Sequence, residues 1–215
     1  FLNILEGCRN HKVKHLVYAS SSSVYGENKK VPFETTDNVD HPISLYAATK
    51  KSNELMAHTY GHLYGFKTTG LRFFTVYGPW GRPDMAYYLF TEAISNDQPI
   101  KVFNNGQMER DFTYMDDIVN GVTKIIEKNI DSREHYKIYN IGNNKTESLQ
   151  DFITTIEQAL GKEAIKEMYP MQQGDVSKTW ANIDEMSKDF DYHPKTPVSV
   201  GVLKFINWYL NYKKK

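Results

Sequence analysis

Tyr46 and Lys50 lie four positions apart, and a phenol and an ammonium group at this spacing could together carry out proton transfer. On a helix, residues four apart lie on one face, so the ammonium group of Lys50 would lie within reach of the phenol. A free phenol is a poor base near neutral pH, and a neighbouring positive charge favours its ionised form. The same spacing recurs at two other places, Tyr25/Lys29 and Tyr209/Lys213. The spacing alone is therefore a weak signal, and the surrounding elements must choose among the three pairs.

The sequence around each pair favours Tyr46. The segment 44–63 contains good helix formers and regularly placed apolar residues, and Pro42 and Ser44 mark its start, so it predicts a helix. Tyr25 is followed by a glycine in a polar turn, and Tyr209 lies close to a basic tail. We therefore expect the pair within segment 44–63 to be the chemically active one.

Short apolar runs alternate with helical patterns along the chain. Lys14 to Ala19 predicts a buried strand that ends in a serine cluster, and Lys67 to Phe74 predicts a strand that ends in a loop. The later predicted elements are helices near Asp84–Ser95, Asp116–Lys128 and Ser148–Leu160, and strands near Ile100–Phe103 and Tyr136–Ile141. This alternation predicts an α/β fold with a mostly parallel sheet. Ligands bind at the carboxyl ends of such strands, so the serine cluster and the loop after Phe74 are predicted site walls.

The two ends of the chain predict amphipathic helices. Phe1, Leu5 and Cys8 share one helical stripe with no capping residue before them, which favours a helix entered midway and hence the carboxy-terminal part of a longer protein. A second helical stripe near the other end consists of Val202, Phe205, Ile206 and Tyr209. We expect the lysines that follow it, Lys213–Lys215, to form a solvated tail.

Composition excludes several classes of protein. The 215 residues contain 26 basic and 26 acidic side chains, so no surplus of positive charge favours binding to nucleic acid or to an anionic membrane. Hydrophobic residues make up 40% of the chain but occur in runs too short to span a bilayer. The single cysteine, Cys8, cannot form an internal disulfide. We expect a cytoplasmic protein.

Four separated motifs occur in the order found in one enzyme superfamily. They are the run Tyr18–Gly26 with its four serines, the Tyr46-x-x-x-Lys50 pair, the run Leu71–Ala86 and the run Arg110–Ile118. Together they resemble the active-site signature of extended short-chain dehydrogenase/reductases, and the last two resemble the UDP-glucuronate 4-epimerase branch. The resemblance implies a bound NAD cofactor and a UDP-sugar substrate.

The resemblance also implies a fold and a division into domains. The expected architecture is α/β, a Rossmann-like doubly wound parallel sheet that lacks its N-terminal half, plus a small C-terminal α/β substrate-binding domain. The half expected to be missing carries the glycine-rich pyrophosphate loop, and no Gly-x-Gly-x-x-Gly occurs here. Residues 1–78 are expected to belong to the NAD-binding domain and residues 79–215 mainly to the substrate domain, with a segment near 110–142 returning to the Rossmann sheet.

Roles for individual residues follow from the resemblance. Tyr46 would be the catalytic base, Lys50 would tune it and hold the nicotinamide ribose, and Ser21 would hydrogen-bond the same sugar oxygen. Phe74 would pack near the nicotinamide, so the expected cofactor contacts are Tyr46, Lys50 and Phe74. The expected substrate-binding residues are Ser22, Ser23, Thr75, Arg82, Phe103, Arg110 and Asp175.

The chemistry of the substrate gives some of these residues a specific task. The guanidinium fork of Arg82 matches a sugar carboxylate bidentately. In the family that this chain resembles, Arg110 matches a residue that contacts the diphosphate. Phe103 matches a position that packs on the uracil, and Asp175 matches a residue that contacts the ribose of the nucleotide. Gln172 stands where relatives commonly have an arginine, which puts a second diphosphate contact in doubt. Thr75 replaces an asparagine common in galactose epimerases, which favours a uronate substrate.

Related reactions remain as alternatives. Dehydratases carry an Asp-Glu pair where this chain has Ser22 and Ser23, so dehydration is disfavoured. A UDP-glucuronate decarboxylase, a neutral UDP-hexose 4-epimerase and a non-catalytic sugar-nucleotide-binding fragment stay open. His58 and His62 lack the intervening glutamate of the zinc hydrolase motif, so no metal is expected. The family usually dimerises, and we expect a homodimer for the full-length protein.

Overall fold

The computed structural model describes residues 1–128 and 134–214. The helices are α1 (Leu2–Asn10), α2 (Leu45–Tyr64), α3 (Ala86–Ser95), α4 (Met115–Glu127), α5 (Leu149–Leu160), α6 (Asp184–Phe190) and α7 (Val198–Lys213). The strands are β1 (His15–Ser21), β2 (Lys67–Phe73), β3 (Thr75–Tyr77), β4 (Ile100–Val102), β5 (Glu109–Arg110), β6 (Phe112–Tyr114), β7 (Tyr136–Ile141), β8 (Glu147–Ser148) and β9 (Lys166–Met168).

The main sheet is parallel and has the strand order β1-β2-β7 in the part of the chain that is described. Ala19 pairs with Leu71, and Leu71 in turn pairs with Tyr139. Because the three strands run in one direction, their carboxyl ends meet at one edge of the sheet. The predicted α/β fold with a parallel sheet is therefore confirmed.

Helix α2 covers one face of this sheet and begins one residue later than the predicted segment. Ser44 caps it, because its Oγ accepts a hydrogen bond of 3.1 Å from the backbone N–H of Ala47. Gly65 ends it in a left-handed conformation with φ of 72°. Ala57 faces the sheet and is completely buried. The cap and this packing fix the axial position of α2, and with it the height of Tyr46 and Lys50 relative to β1.

The buried apolar residues form two main clusters. One lies around β2, β7, α4 and α6 and includes Leu71, Ile125 and Ile141. The other lies among α3, α5, α7 and the short strands after residue 74, and includes Tyr77, Phe152 and Phe205. The strand β7 follows α4 in sequence but pairs with β2, so the chain returns to the main sheet after passing through the second cluster.

Several predicted boundaries are corrected. The strand predicted to reach Phe103 ends at Val102, because Asn104 and Asn105 have φ of 50° and 49° and the chain cannot stay extended there. The helix predicted from Asp84 begins at Ala86, because Met85 is still extended.

The predicted solvated tail is exposed at Lys213 and Lys214. The Nζ of Lys213 also lies 2.6 Å from the Oε1 of Glu92 in α3, in an ion pair at the surface. Lys215 lies outside the described residues. Among the described residues, none of the helices has the length and the apolar character that crossing a membrane would require.

Candidate active site

The serine cluster lies at the carboxyl end of β1. Ser21 is the last residue of the strand, and a short 3₁₀ turn, Ser22–Tyr25, follows it. The Oγ of Ser21 accepts a hydrogen bond of 3.1 Å from the backbone N–H of Ser23, which caps this turn. The Oγ of Ser21 also lies 3.1 Å from the Oγ of Ser23. The turn therefore holds three consecutive hydroxyl groups at the edge of the sheet.

A cavity of about 680 Å³ opens at this edge. It brings together most of the residues predicted for catalysis and sugar binding, which are Ser21, Ser22, Ser23, Tyr46, Phe74, Thr75 and Arg82. Its walls come from the end of β1, the first turn of α2 and the segment after β2. A cavity with a few convergent polar groups at this position is typical of a ligand site in an α/β sheet.

Tyr46 and Lys50 lie on one face of α2 as predicted. Tyr46 is 53% exposed and lines the cavity. The Nζ of Lys50 lies 5.7 Å from the centre of the Tyr46 ring and donates a hydrogen bond of 3.1 Å to the backbone carbonyl of Ala19. Lys50 thus ties α2 to β1 next to the serine cluster. It does not line the cavity itself.

A second, smaller cavity of about 160 Å³ adjoins the first. Ser22, Ser23 and Thr75 line both cavities, so the two cavities share a wall. Arg110 and Asp175 line the smaller cavity, and the Nη2 of Arg110 lies 2.8 Å from the Oδ1 of Asp175. Burial lowers the pKa of Arg110, and the negative charge of Asp175 opposes that shift.

Two predicted substrate residues occupy less central positions. The Arg82 side chain is 72% exposed at the rim of the larger cavity, and its Nη2 lies 3.1 Å from the Oδ2 of Asp84. Phe103 lines neither cavity; its ring packs against Tyr169 with ring centres 5.7 Å apart. The predicted role of Arg82 therefore requires a substrate that reaches the rim, and the predicted role of Phe103 requires one that extends outside both cavities.

A buried polar network below the cavity was missed by the sequence analysis. Glu54 of α2 and Arg72 of β2 form two hydrogen bonds of 2.9 Å each, and the Oγ of Ser20 donates one of 2.6 Å to the same carboxylate. All three residues are at most 3% exposed. Two signals could have found the pair, because Glu54 lies four residues after Lys50 and Arg72 interrupts an apolar strand.

The network continues towards β7. Arg72 donates to the carbonyl of Thr35 at 3.2 Å and lies over the Tyr25 ring, whose hydroxyl donates to the Asn140 Oδ1 at 2.6 Å. Burial disfavours the positive charge of Arg72, but its hydrogen bonds to Glu54 and the nearby negative charge outweigh that cost and raise its pKa. The floor of the site is thus fixed by charge-assisted hydrogen bonds between different elements.

Asp111 is a second buried carboxylate, next to Arg110. It accepts hydrogen bonds from the Thr113 hydroxyl at 3.1 Å and from the backbone N–H groups of Asn143 at 2.6 Å and Ala181 at 3.1 Å. Burial raises the pKa of Asp111 to about 6, and these hydrogen bonds partly offset the shift. Asp111 therefore joins β6 to the segments after β7 and before α6.

The parallel sheet and the hydroxyl, phenol and ammonium groups at its carboxyl edge define a Rossmann-like enzyme of the short-chain dehydrogenase/reductase class. The model of one family within that class, described as NAD dependent epimerase/dehydratase, matches residues 1–142. The chain belongs to this family, and the predictions of the family and of its NAD-dependent epimerase class are confirmed.

Curated relatives and solved structures agree with this assignment. Protein CapI from Staphylococcus aureus is 55% identical over 229 residues, which cover 100% of this chain and 69% of CapI. UDP-glucuronate 4-epimerase 2 from Arabidopsis thaliana is 45% identical over 229 residues, which cover 100% of this chain and 53% of that protein. The chain thus spans between about half and about two thirds of the length of these relatives.

Two solved structures show the same fold. The crystal structure of UDP-glucuronic acid 4-epimerase from Bacillus cereus, in complex with UDP-glucuronic acid and NAD, has a TM-score of 0.90 at 32% identity and covers 97% of this chain and 65% of that one. UDP-glucose 4-epimerase from Thermotoga maritima, with UDP-glucose, has a TM-score of 0.89 at 27% identity, covering 99% of this chain and 68% of that one.

The residues of the site fit one end of NAD. The ring of Phe74, the phenol of Tyr46 and the ammonium of Lys50 lie at or next to the carboxyl edge of β1 and β2, and they suit an aromatic ring joined to a ribose. The pyrophosphate requires a glycine-rich turn at a helix N-terminus, and the sequence has no Gly-x-Gly-x-x-Gly. The chain therefore fits the nicotinamide-ribose end of the cofactor.

Proposed function

We propose that this chain is the catalytic and sugar-nucleotide-binding part of an NAD-dependent UDP-glucuronate 4-epimerase. The observation that carries the proposal is the single cavity lined by Ser21, Tyr46, Thr75 and Arg82. It combines a proton-transfer group, hydroxyl donors and a guanidinium group suited to a sugar carboxylate. The relatives from Arabidopsis and Bacillus cereus described above are named for the same reaction.

Tyr46 moves the proton in this mechanism. Its Oη takes the proton from the 4-hydroxyl of the sugar as carbon 4 is oxidised, and returns it when the resulting 4-keto sugar is reduced. Lys50 lies on the same helical face, with its Nζ 5.7 Å from the centre of the Tyr46 ring. The Oγ of Ser21 hydrogen-bonds the same sugar oxygen. NAD, when bound, supplies the acceptor and donor of the hydride.

Inversion at carbon 4 requires the keto sugar to present its other face before reduction. In this proposal the sugar lies next to three small hydroxyl side chains of the cavity wall, those of Ser22, Ser23 and Thr75. Such groups can exchange hydrogen-bond partners while the ring turns, because hydroxyl groups both donate and accept. The cofactor returns to its original state, so the reaction involves no net oxidation or reduction of the substrate.

Arg82 gives the preference for a uronate in this proposal. Its partner Asp84 is also exposed, so the ion pair contributes little and can be exchanged. A sugar carboxylate can replace Asp84 and bind the guanidinium fork. Arg110 and Asp175, which line the smaller cavity, then contact the diphosphate and the ribose, and the uracil extends outside both cavities to Phe103 and Tyr169.

We also propose that residues 1–78 and the returning strand β7 complete the NAD-binding domain of a longer protein, whereas residues 79–215 mainly form the substrate domain. Helix α2 presents exposed leucines at positions 45, 55 and 63, which are 83%, 57% and 60% exposed. This surface is suited to contact with a second copy, and a homodimer follows. Sedimentation of the full-length protein with Leu55→Glu, compared with the parent, tests that contact.

Proton NMR tests the proposed reaction. The full-length protein is incubated with UDP-glucuronate and NAD. By full-length protein we mean a protein as long as the relatives, of which this chain is one part. We expect UDP-galacturonate to accumulate until both sugars are present at equilibrium. A UDP-pentose with carbon dioxide would instead indicate decarboxylation. Turnover of neutral UDP-sugars alone would indicate a hexose epimerase, and binding without turnover would indicate a non-catalytic protein.

Two tyrosines on α2 provide a matched pair of variants for the role of the phenol. Tyr46→Phe removes the proposed base, and we expect kcat to fall by about 10²–10⁴. Tyr64→Phe makes the same change at the other end of the helix, where Tyr64 is 40% exposed and contacts Arg9. We expect its kcat to remain at the parent value. Equal kcat in both variants would exclude Tyr46 as the base.

A further inference from the structure

The loop after β3 contains an exposed tryptophan in an unusual backbone conformation. Trp80 is 74% exposed and has φ of 62°, although non-glycine residues rarely adopt positive φ. Trp80 lines the rim of the larger cavity, as does Arg82 two residues later. A large apolar side chain in this position needs a contact that stabilises it.

The terminal helix α7 provides that contact. The ring of Trp80 lies 5.3 Å from the ring of Trp208 and 5.7 Å from that of Tyr212, measured between centres. Trp208 and Tyr212 stack on each other at 5.2 Å with an interplanar angle of 16°. These separations are in the range of favourable aromatic pairs. We call Trp80, Trp208 and Tyr212 the aromatic clasp.

One end of the aromatic clasp is attached to the protein core. Trp208 packs against Phe205, which is 1% exposed, with ring centres 5.8 Å apart. Tyr209, the next residue of α7, is 2% exposed. Because α7 is anchored in this way, the two rings it presents to Trp80 form a fixed surface rather than a mobile one.

The loop between Trp80 and Arg82 has little room to adjust. A Cβ atom at Gly81 would lie 1.6 Å from the hydroxyl oxygen of Tyr87, so the backbone passes directly against α3. Tyr87 is 3% exposed and cannot move away without disturbing the core. The short segment from Trp80 to Arg82 is therefore held between two helices, because the Trp80 ring contacts α7 and Gly81 lies against Tyr87 of α3.

We propose that the aromatic clasp positions the loop that carries Arg82, and that it thereby sets the preference for a carboxylated over a neutral UDP-sugar. The inference rests on the proposed function, because it takes Arg82 as the carboxylate-binding group. Trp208 and Tyr212 do not line the cavity and are positioning residues that act through Trp80 and Arg82, and none of the three aromatic residues takes part in proton transfer. The terminal helix thus contributes to substrate choice from outside the cavity.

The test measures kcat/KM of the full-length protein for UDP-glucuronate and for UDP-glucose. We expect Trp208→Ala to reduce the ratio of the two values about threefold to tenfold, the size expected for losing one aromatic pair. The kcat for UDP-glucose should remain unchanged, and Trp208→Phe should restore most of the ratio. Leu210→Ala, on the same helix and 40% exposed, is the matched control and should leave the ratio unchanged.

A double-variant cycle provides the second readout. Trp80→Ala and Trp208→Ala should each lower the ratio, and the double variant should lower it no further than Trp80→Ala does, because both remove the same contact. An unchanged ratio in both single variants, or an equal loss of activity for both sugars, would overturn the proposal. If the parent protein showed no preference for UDP-glucuronate, both the proposed function and this inference would be wrong. If the parent showed the preference and both single variants kept it, only the role of the aromatic clasp would be wrong.

Discussion

Two arginine–carboxylate pairs near the site differ greatly in burial. Arg72–Glu54 lies below the cavity, with side chains only 4% and 1% exposed, whereas Arg82–Asp84 lies at the rim, with side chains 72% and 68% exposed. The two N···O distances, 2.9 and 3.1 Å, are similar. Both pairs have the same chemistry, so burial decides how each behaves. The buried pair holds two elements together, whereas the arginine of the exposed pair is free to exchange its carboxylate partner.

The difference has a physical cause. Removing one partner of a buried pair leaves a charge that water cannot reach, and the free energy of unfolding falls steeply. An exposed pair gains little in water, because solvent already stabilises both charges. The buried pair can therefore hold α2 against β2, while the exposed pair can release Arg82 to a ligand.

The largest expected effect is on the buried pair. Arg72→Met leaves Glu54 without its ionic partner, and we expect the free energy of unfolding to fall by about 3–5 kcal/mol. Denaturant unfolding of the full-length protein, compared between variant and parent, measures the change. Arg82→Met is the matched control at the rim and should change stability by less than about 0.5 kcal/mol. Similar losses for both variants would contradict the contrast between the two pairs.

The next effect concerns the buried Asp111. Its pKa is raised to about 6, so the folded state is disfavoured when this carboxyl ionises. The stability that the protonated carboxyl contributes is fully present below about pH 4, where the unfolded chain is protonated too. It is lost as pH rises from about 4 through 6, and the free energy of unfolding falls by about 3 kcal/mol for a pKa shift of about two units. The stability difference between Asp111→Asn and the parent should follow this course. A stability difference that does not change with pH would contradict the assignment.

A smaller effect tests the link between the buried pair and the serine cluster. Ser20→Ala removes the hydrogen bond to Glu54 but keeps the ion pair, and we expect a loss of about 1.5 kcal/mol in unfolding free energy. Ser52→Ala, on the exposed side of α2, removes a hydroxyl bonded only to the Ala48 carbonyl and should cost less than about 0.5 kcal/mol. If the two variants were equally stable, Ser20 would not belong to the network.

Replacing Arg82 should have the smallest effect on stability but a large effect on which UDP-sugar is used. Arg82→Gln should leave unfolding within about 0.5 kcal/mol of the parent. We expect kcat/KM for UDP-glucuronate to fall about tenfold or more, because a charge-assisted contact is lost, while kcat/KM for UDP-glucose stays constant. Asp84→Asn, which frees Arg82 without removing it, should not reduce the use of UDP-glucuronate. An equal loss for both sugars would show that Arg82 holds the loop and does not bind the carboxylate.

The elements around the site could be predicted from sequence because their signals are local. The bounds of β7 match the predicted strand Tyr136–Ile141, and Ser44 and Gly65 define α2 through capping chemistry. The Glu54–Arg72 pair could not be predicted in the same way. It joins residues 18 positions apart and depends on how α2 lies across β2. For the same reason, the sequence could not predict that Tyr46, Thr75 and Arg82 line one cavity, because this depends on how distant segments pack together.

Exposure is the other property that the sequence did not reveal. Arg82 and Arg110 have the same side chain and were both predicted to bind the substrate, yet one is exposed at the rim and the other is largely buried beside Asp175. Ser20 and Ser21 follow each other in one serine run, but the first faces Glu54 and the second caps the 3₁₀ turn. Alternation along β1 separates their roles, because successive residues of a strand face opposite sides.

Proton NMR in heavy water tests most directly whether this site epimerises carbon 4 by hydride transfer. The full-length protein is incubated with UDP-glucuronate and NAD in D₂O, and the product is examined for deuterium at each ring carbon. We expect UDP-galacturonate whose carbon 4 retains the proton of the substrate, because the hydride never exchanges with solvent. Deuterium at carbon 4 or carbon 5, or a UDP-pentose in place of a hexuronate, would contradict the proposed reaction.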